Sequence, residues 1–131
     1  MVDDKKLAYV AGLFDGEGCI TTINNGTSLS INICNTVIEP LEFVKRLFGG
    51  SIYTQKSDNI KHKLLHRWAI SGEAASEILQ CLLPYLIIRK ERAVLGIKFV
   101  STFGQQEKIN IALELKRMNR SGRTIEEYYK I

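Results

Sequence analysis

The sequence predicts an α+β fold: an αββαββα core whose four strands form one antiparallel sheet, with additional C-terminal helices, in a single domain spanning residues 1–131. Three observations lead there. The hydrophobic period alternates along the chain between that of a helix and that of a strand. Turn chemistry separates the members of each strand pair. The 131 residues, 45% of them apolar, suffice for one core and are too few for two.

The elements follow in order. Leu7, Val10, Ala11 and Phe14 fall on one helical stripe within residues 5–14, and Gly16 and Gly18 supply its stop. Ser28, Ser30 and Asn32 then alternate with Leu29, Ile31 and Ile33, a strand with one apolar face. Asn24-Asn25-Gly26-Thr27 is a turn, so residues 18–35 read as a hairpin. A second helix starts near Pro40, shows Leu41, Val44, Leu47 and Phe48 on its apolar face, and ends at Gly49-Gly50. Residues 51–56 and 63–71 form a second hairpin, with Ser57, Asp58 and Asn59 in its loop and Trp68 and Ile70 on one face. Ala75, Ile78, Leu79 and Leu82 mark a third helix that Pro84 stops. Helical stretches at 85–103 and 105–118 follow, and Thr124 with Glu127 has the capping-box spacing of a short last helix.

Two hairpins can join into one sheet with helices on one face and the other face open. That open face would present Ser28, Ser30, Asn32, Tyr53, Gln55 and Arg67 at regular spacing. A curved sheet of this kind fits the DNA major groove, where base edges carry a distinct donor and acceptor code. A merely solvated face is polar too, so this feature does not decide by itself.

The net charge of +4 suits a polyanionic partner without requiring one. Cys19, Cys34 and Cys81 are odd in number, far apart and without nearby histidines, which argues against a zinc site or a disulfide framework and for a reducing compartment. Val2-Asp3-Asp4-Lys5 is too acidic for a transit peptide, and no apolar run nears the roughly 20 residues of a membrane span. The expectation is a soluble intracellular chain, in the cytoplasm or an organelle interior, with no membrane partner. His62 and His66 lack metal-ligand spacing and read as surface residues.

The first helix carries the chemistry. Ala8, Ala11 and Gly12 are small and at helical spacing, which lets another helix approach closely. The helix ends at Asp15-Gly16-Glu17-Gly18, placing carboxylates where the last carbonyls lack partners and the macrodipole is negative. A hard divalent cation resolves that conflict, because it takes carboxylate and carbonyl oxygens together. If two copies of the helix packed in parallel, their Glu17 side chains would converge as in a two-metal phosphodiesterase site. Such a turn taken alone is usually no more than a helix stop.

The segment Tyr9-Val10-Ala11-Gly12-Leu13-Phe14-Asp15-Gly16-Glu17-Gly18, continued by Cys19-Ile20, resembles the motif that names the LAGLIDADG homing endonucleases. Residues 41–50 look like that family's second helix. Leu83-Pro84-Tyr85-Leu86-Ile87-Ile88-Arg89-Lys90 is similar to a segment that sets a basic residue near the scissile phosphates. That role falls to Arg89, or to Lys90 if the register slips by one, where a fixed cation would orient water and offset charge on phosphorus. Residues 118–124 are similar to a segment that rests on the DNA backbone, which assigns Asn119, Arg120, Ser121 and Arg123 to phosphates.

The resemblance implies a homodimer, since the chain holds one motif. It implies a site-specific, intron-encoded endonuclease that hydrolyses double-stranded DNA at a long, partly palindromic target. Mg²⁺ would be held by Glu17 and the Gly16 carbonyl; Mn²⁺ would substitute, and Ca²⁺ would support binding without cleavage. Ala8, Ala11, Gly12 and Asp15 would form the dimer seam. Asn25, Ser28, Ser30, Asn32, Cys34, Tyr53, Gln55 and Arg67 would line the groove, and Lys61 and Lys63 would contact phosphates. Val37 departs from the pattern, because a polar residue that orders water commonly follows the Asn35-Thr36 pair. That departure keeps open a non-cleaving relative, an RNA maturase or DNA-binding regulator. The remaining reading is a structural α+β protein with an accidental motif.

Overall fold

The structure, a computed structural model, describes residues 2–56 and 64–121. Its elements are α1 (Asp4–Glu17), β1 (Gly18–Ile23), β2 (Ser28–Asn35), α2 (Glu39–Phe48), β3 (Ser51–Lys56), β4 (Leu64–Ser71), α3 (Glu73–Leu82), a 3-10 turn (Leu83–Tyr85), α4 (Lys90–Ser101) and α5 (Gln105–Ser121). The strands form one antiparallel sheet in the order β1-β2-β4-β3, so β2 against β4 joins the two hairpins. The predicted α+β class and the four-stranded sheet with helices on one face are what the chain adopts.

The β1–β2 turn holds because its residues tolerate a left-handed backbone: Asn24, Asn25 and Gly26 have φ of 55°, 58° and 79°. Thr27 closes it, donating its hydroxyl to Asn24 O at 2.7 Å. Strand alternation then sorts the side chains. Ile20, Leu29, Ile31, Ile33 and Trp68 go to the covered face, where they meet Val10 and Phe14 of α1, Leu41 and Val44 of α2, Leu79 of α3, Phe99 of α4 and Leu115 of α5. The buried indole of Trp68 is satisfied, since its Nε1 donates to Gly49 O at 2.7 Å.

Three expectations need correction. Residues 86–89 are not helical: Leu86 is extended, with φ −76° and ψ 143°, and α4 begins at Lys90. The reason is a competing partner, because the amides of Ile87, Ile88 and Arg89 turn to the Asp15 side chain. In the same way α5 runs on through Ser121, so Asn119, Arg120 and Ser121 belong to a helix and not to a basic loop. His66 is buried and not a surface residue, because it shares strand parity with Trp68; its Nδ1 lies 2.8 Å from Thr54 Oγ1. Lys61, Lys63, Arg123, His62, the predicted loop at 57–59 and the Thr124–Glu127 helix lie outside the described residues. Among those residues no helix is long and apolar enough to cross a membrane.

Candidate nucleic-acid interface and metal site

Helix α1 passes directly into β1 at Gly18, whose backbone turns extended while its N–H still donates to Phe14 O. Three residues earlier, Asp15 is buried, and its carboxylate accepts from three backbone amides: Ile87 N at 2.8 Å on Oδ2, Ile88 N at 3.1 Å and Arg89 N at 3.0 Å on Oδ1. An anion set on the free amides that precede a helix replaces the water it loses on burial. The exchange is mutual. Arg89 Nε donates to Phe14 O at 3.0 Å, placing a cation on a carbonyl near the C-terminal end of α1.

Glu17 is exposed, and its carboxylate has no hydrogen bond or ion pair with another described residue. Beside it Gly16 is exposed, with nothing within 4 Å of where a Cβ would stand. A free carboxylate and a backbone carbonyl are hard oxygen donors that suit Mg²⁺. They are also too few. Among the described residues no group of three or more acidic, histidine or cysteine side chains could hold an ion, and Asp15 is engaged with amides.

The open face of the sheet is concave, enclosing about 460 Å³ lined by Ser30, Asn32, Tyr53, Gln55 and Arg67 together with Thr21, Ile23, Leu65 and Ala69. The five predicted side chains do converge. Thr21, Ile23, Leu65 and Ala69 were missed, although Ile20 and Trp68 on the covered face fix their parity. Arg67 stands opposite Cys34 across the β2–β4 ladder, and its Nε donates to Cys34 Sγ at 3.3 Å. Ser28 begins β2 on the same parity outside the concavity, and Asn25 is exposed in the turn.

Where this face meets the end of α1, burial pushes the Cys19 thiol up from its ordinary range, against the opposing pull of Arg89, Arg92 and Arg67. Three guanidiniums therefore act on Cys19, the residue after Gly18. Arg92 was not singled out from the sequence, though it lies one helical turn beyond Arg89. Lys90 is exposed at the start of α4.

Three assignments change. Ala11 is fully buried within its own chain and Asp15 is engaged there, so neither faces outward for a dimer seam. The outward side of α1 carries Ala8, Gly12 and Gly16 at successive turns. Asn119 faces β1, its Nδ2 donating to Ile20 O at 2.7 Å, because α5 packs there. The Asn35 side chain accepts from Val37 N at 2.9 Å through its Oδ1.

Known proteins share this fold. Residues 4–81 match the family model of the LAGLIDADG-like domain. Among solved structures, the homing endonuclease I-CvuI, in complex with its target in 2 mM Ca, superposes with a TM-score of 0.71 at 19% identity, covering 92% of this chain and 87% of that one. A second I-CvuI structure, with an I-CreI target in 2 mM Mg and its DNA not cleaved, gives 0.65 at 18% identity over 96% and 91%. The archaeal intron-encoded homing endonuclease I-Vdi141I, complexed with DNA, gives 0.72 at 16% identity over 93% and 89%. At such identities the superpositions establish the fold. The family match spans α1, both hairpins and nearly all of α3, and it includes the helix end that carries Glu17; this chain is a member of the LAGLIDADG homing endonuclease family.

Proposed function

We propose that the chain is one subunit of a homodimeric, site-specific endonuclease that hydrolyses double-stranded DNA at a long, partly palindromic target. One observation carries the reading: a carboxylate without a partner among the described residues, Glu17, ends a helix whose outward side is Ala8, Gly12 and Gly16 and which runs directly into the first strand of the concave sheet. Small residues permit close approach of a second α1. A two-fold pair of such helices brings two Glu17 side chains, each without a partner among the described residues of its own chain, together at one site.

Glu17 and the Gly16 carbonyl would hold the ion, Mg²⁺ with Mn²⁺ as substitute, and a bound ion supplies a nucleophilic water and stabilises the leaving oxygen. The chain's own residues do the rest. Asn32, Tyr53, Gln55 and Arg67 meet base edges from the sheet, with Ser28, Ser30, Cys34 and Asn25 along its rim. Arg89 and Lys90 offset phosphate charge at the start of α4, while Arg120, with Lys61, Lys63, Ser121 and Arg123, sets position on the backbone. The use of Ca and Mg in the I-CvuI complexes supports a divalent ion.

Val37, half-exposed where family members commonly place a water-ordering polar group, favours a second reading: a protein that binds nucleic acid without cutting it. One experiment separates them. The protein is incubated with a randomised duplex library in Ca²⁺, and the bound duplexes are recovered and transferred to Mg²⁺. Enrichment of a partly palindromic sequence that is then cut is the expected result. Enrichment without any nicking selects the non-cleaving reading, and no enrichment from a monomeric protein removes both.

A further inference from the structure

Asp15 is a buried acid that the proposed chemistry does not use. Both of its oxygens are engaged, and all three donors come from the segment that leads into α4. In return the side chain of Arg89, the last residue of that segment, reaches back to α1 at Phe14 O. Residues Phe14 and Asp15 are thus tied twice to Arg89, and Glu17 follows within one helical turn. No other described carboxylate holds a set of backbone amides in this way; the Asp3 side chain accepts one, from Lys6 N.

We propose that Asp15 is a positioning residue for strand cleavage: by holding the amides of Ile87, Ile88 and Arg89 it fixes where the Arg89 guanidinium stands relative to Glu17. This rests on the reading of Glu17 as metal ligand and Arg89 as the phosphate-side cation. Residues 86–89 are not helical, so no ladder of backbone bonds within that segment sets its path. The carboxylate sets it instead. An asparagine has nearly the same shape but offers one acceptor oxygen, and it would point an N–H₂ donor at amide donors. Both helices would then keep their own hydrogen bonds while Arg89 lost its fixed register against α1. A displacement of about 1 Å at such a site costs up to ~100-fold in rate.

The test uses the full-length dimer, its selected duplex and three variants, Asp15→Asn, Arg89→Gln and the double variant. Affinity for the duplex in Ca²⁺ should change less than about 3-fold in Asp15→Asn, while the single-turnover rate at saturating Mg²⁺ falls by ~100-fold. Because Asp15 acts through Arg89, the double variant should cut no more slowly than Arg89→Gln alone. A role in stability alone would lower the amount of active dimer and leave the rate constant of the remainder unchanged.

A second readout does not depend on cleavage: amide hydrogen exchange at Ile87, Ile88 and Arg89 should be protected in the wild type and faster in Asp15→Asn. Unprotected amides in the wild type, wild-type cutting rates in Asp15→Asn, or losses that multiply in the double variant would each overturn the proposal. A wild type that never cuts in Mg²⁺ removes the underlying reading and this role with it. A cutting wild type matched by an equally fast Asp15→Asn removes the positioning role alone.

Discussion

A Cβ built on Gly18 would stand 2.5 Å from Cδ1 of Phe14 and 2.6 Å from its carbonyl oxygen. Phe14 is fully buried and its carbonyl already accepts from both Gly18 N and Arg89 Nε, so neither group can withdraw freely. Gly18→Ala should therefore destabilise the fold by about 1–3 kcal/mol through overpacking at the helix-to-strand junction. Urea denaturation measures this directly, and an unchanged midpoint would mean that the junction relaxes more easily than its contacts suggest.

Glu17→Gln keeps the size of the side chain and removes its charge. Duplex affinity in Ca²⁺ and the dimer should persist within a few-fold, while Mg²⁺-dependent cleavage falls by at least ~100-fold. Gel analysis of strand breaks over a long time course checks it. Residual cutting near the wild-type rate would take Glu17 out of the mechanism.

Gly12→Leu places a large side chain on the outward side of α1, where no described residue of the same chain lies within 4 Å of a Cβ. The monomer should tolerate it, and the dimer should not, because close helix approach depends on the small residue. Sedimentation equilibrium should show the variant folded and monomeric. A dimer of unchanged affinity would move the subunit contact away from α1.

Arg67 is the one cationic side chain lining the concavity among the described residues. Arg67→Gln should relax base preference at one position in each half of the selected duplex, by about 1–3 kcal/mol of discrimination, and leave the other positions unaltered. Sequencing of duplexes recovered by the variant reads this out. A uniform loss across all positions would mark a phosphate contact.

Cys19 gives a pH dependence of defined sign. Burial raises its thiol above the ordinary value of 9.0, so above that pH the unfolded chain releases a proton that the folded chain retains. Stability then falls as pH rises through that window. Between about pH 8 and about pH 10 the wild type should lose more stability than Cys19→Ala, as urea midpoints would show. Equal losses would mean that Cys19 ionises in the fold as readily as in the open chain.

Much of the fold was legible because local signals agreed. The Asn24-Asn25-Gly26 turn, the alternation around Ile31 and the Gly49-Gly50 stop each demand one conformation, and the covered face of the sheet repeats what they specify. The convergence of Asn32, Gln55 and Arg67 followed from strand parity alone. What escaped the sequence was long-range. Nothing near Ile87 announces that its amide will meet a carboxylate 72 positions away, so a helical pattern was extended through a segment that is not helical. Ala11 was misplaced for a related reason: spacing identifies the small side of a helix but not which small residue the chain covers with its own core.

Because Glu17 is the last residue of α1 and Gly18 the first of β1, no linker separates the carboxylate proposed to hold the ion from the surface proposed to read the duplex. The offset between the bases read and the bond broken is then a built-in dimension of the backbone. A single residue inserted there would turn Thr21 and Ile23 to the opposite side of their strand. Retargeting such an enzyme means exchanging side chains on a rigid ruler, and the length of the ruler itself is not adjustable.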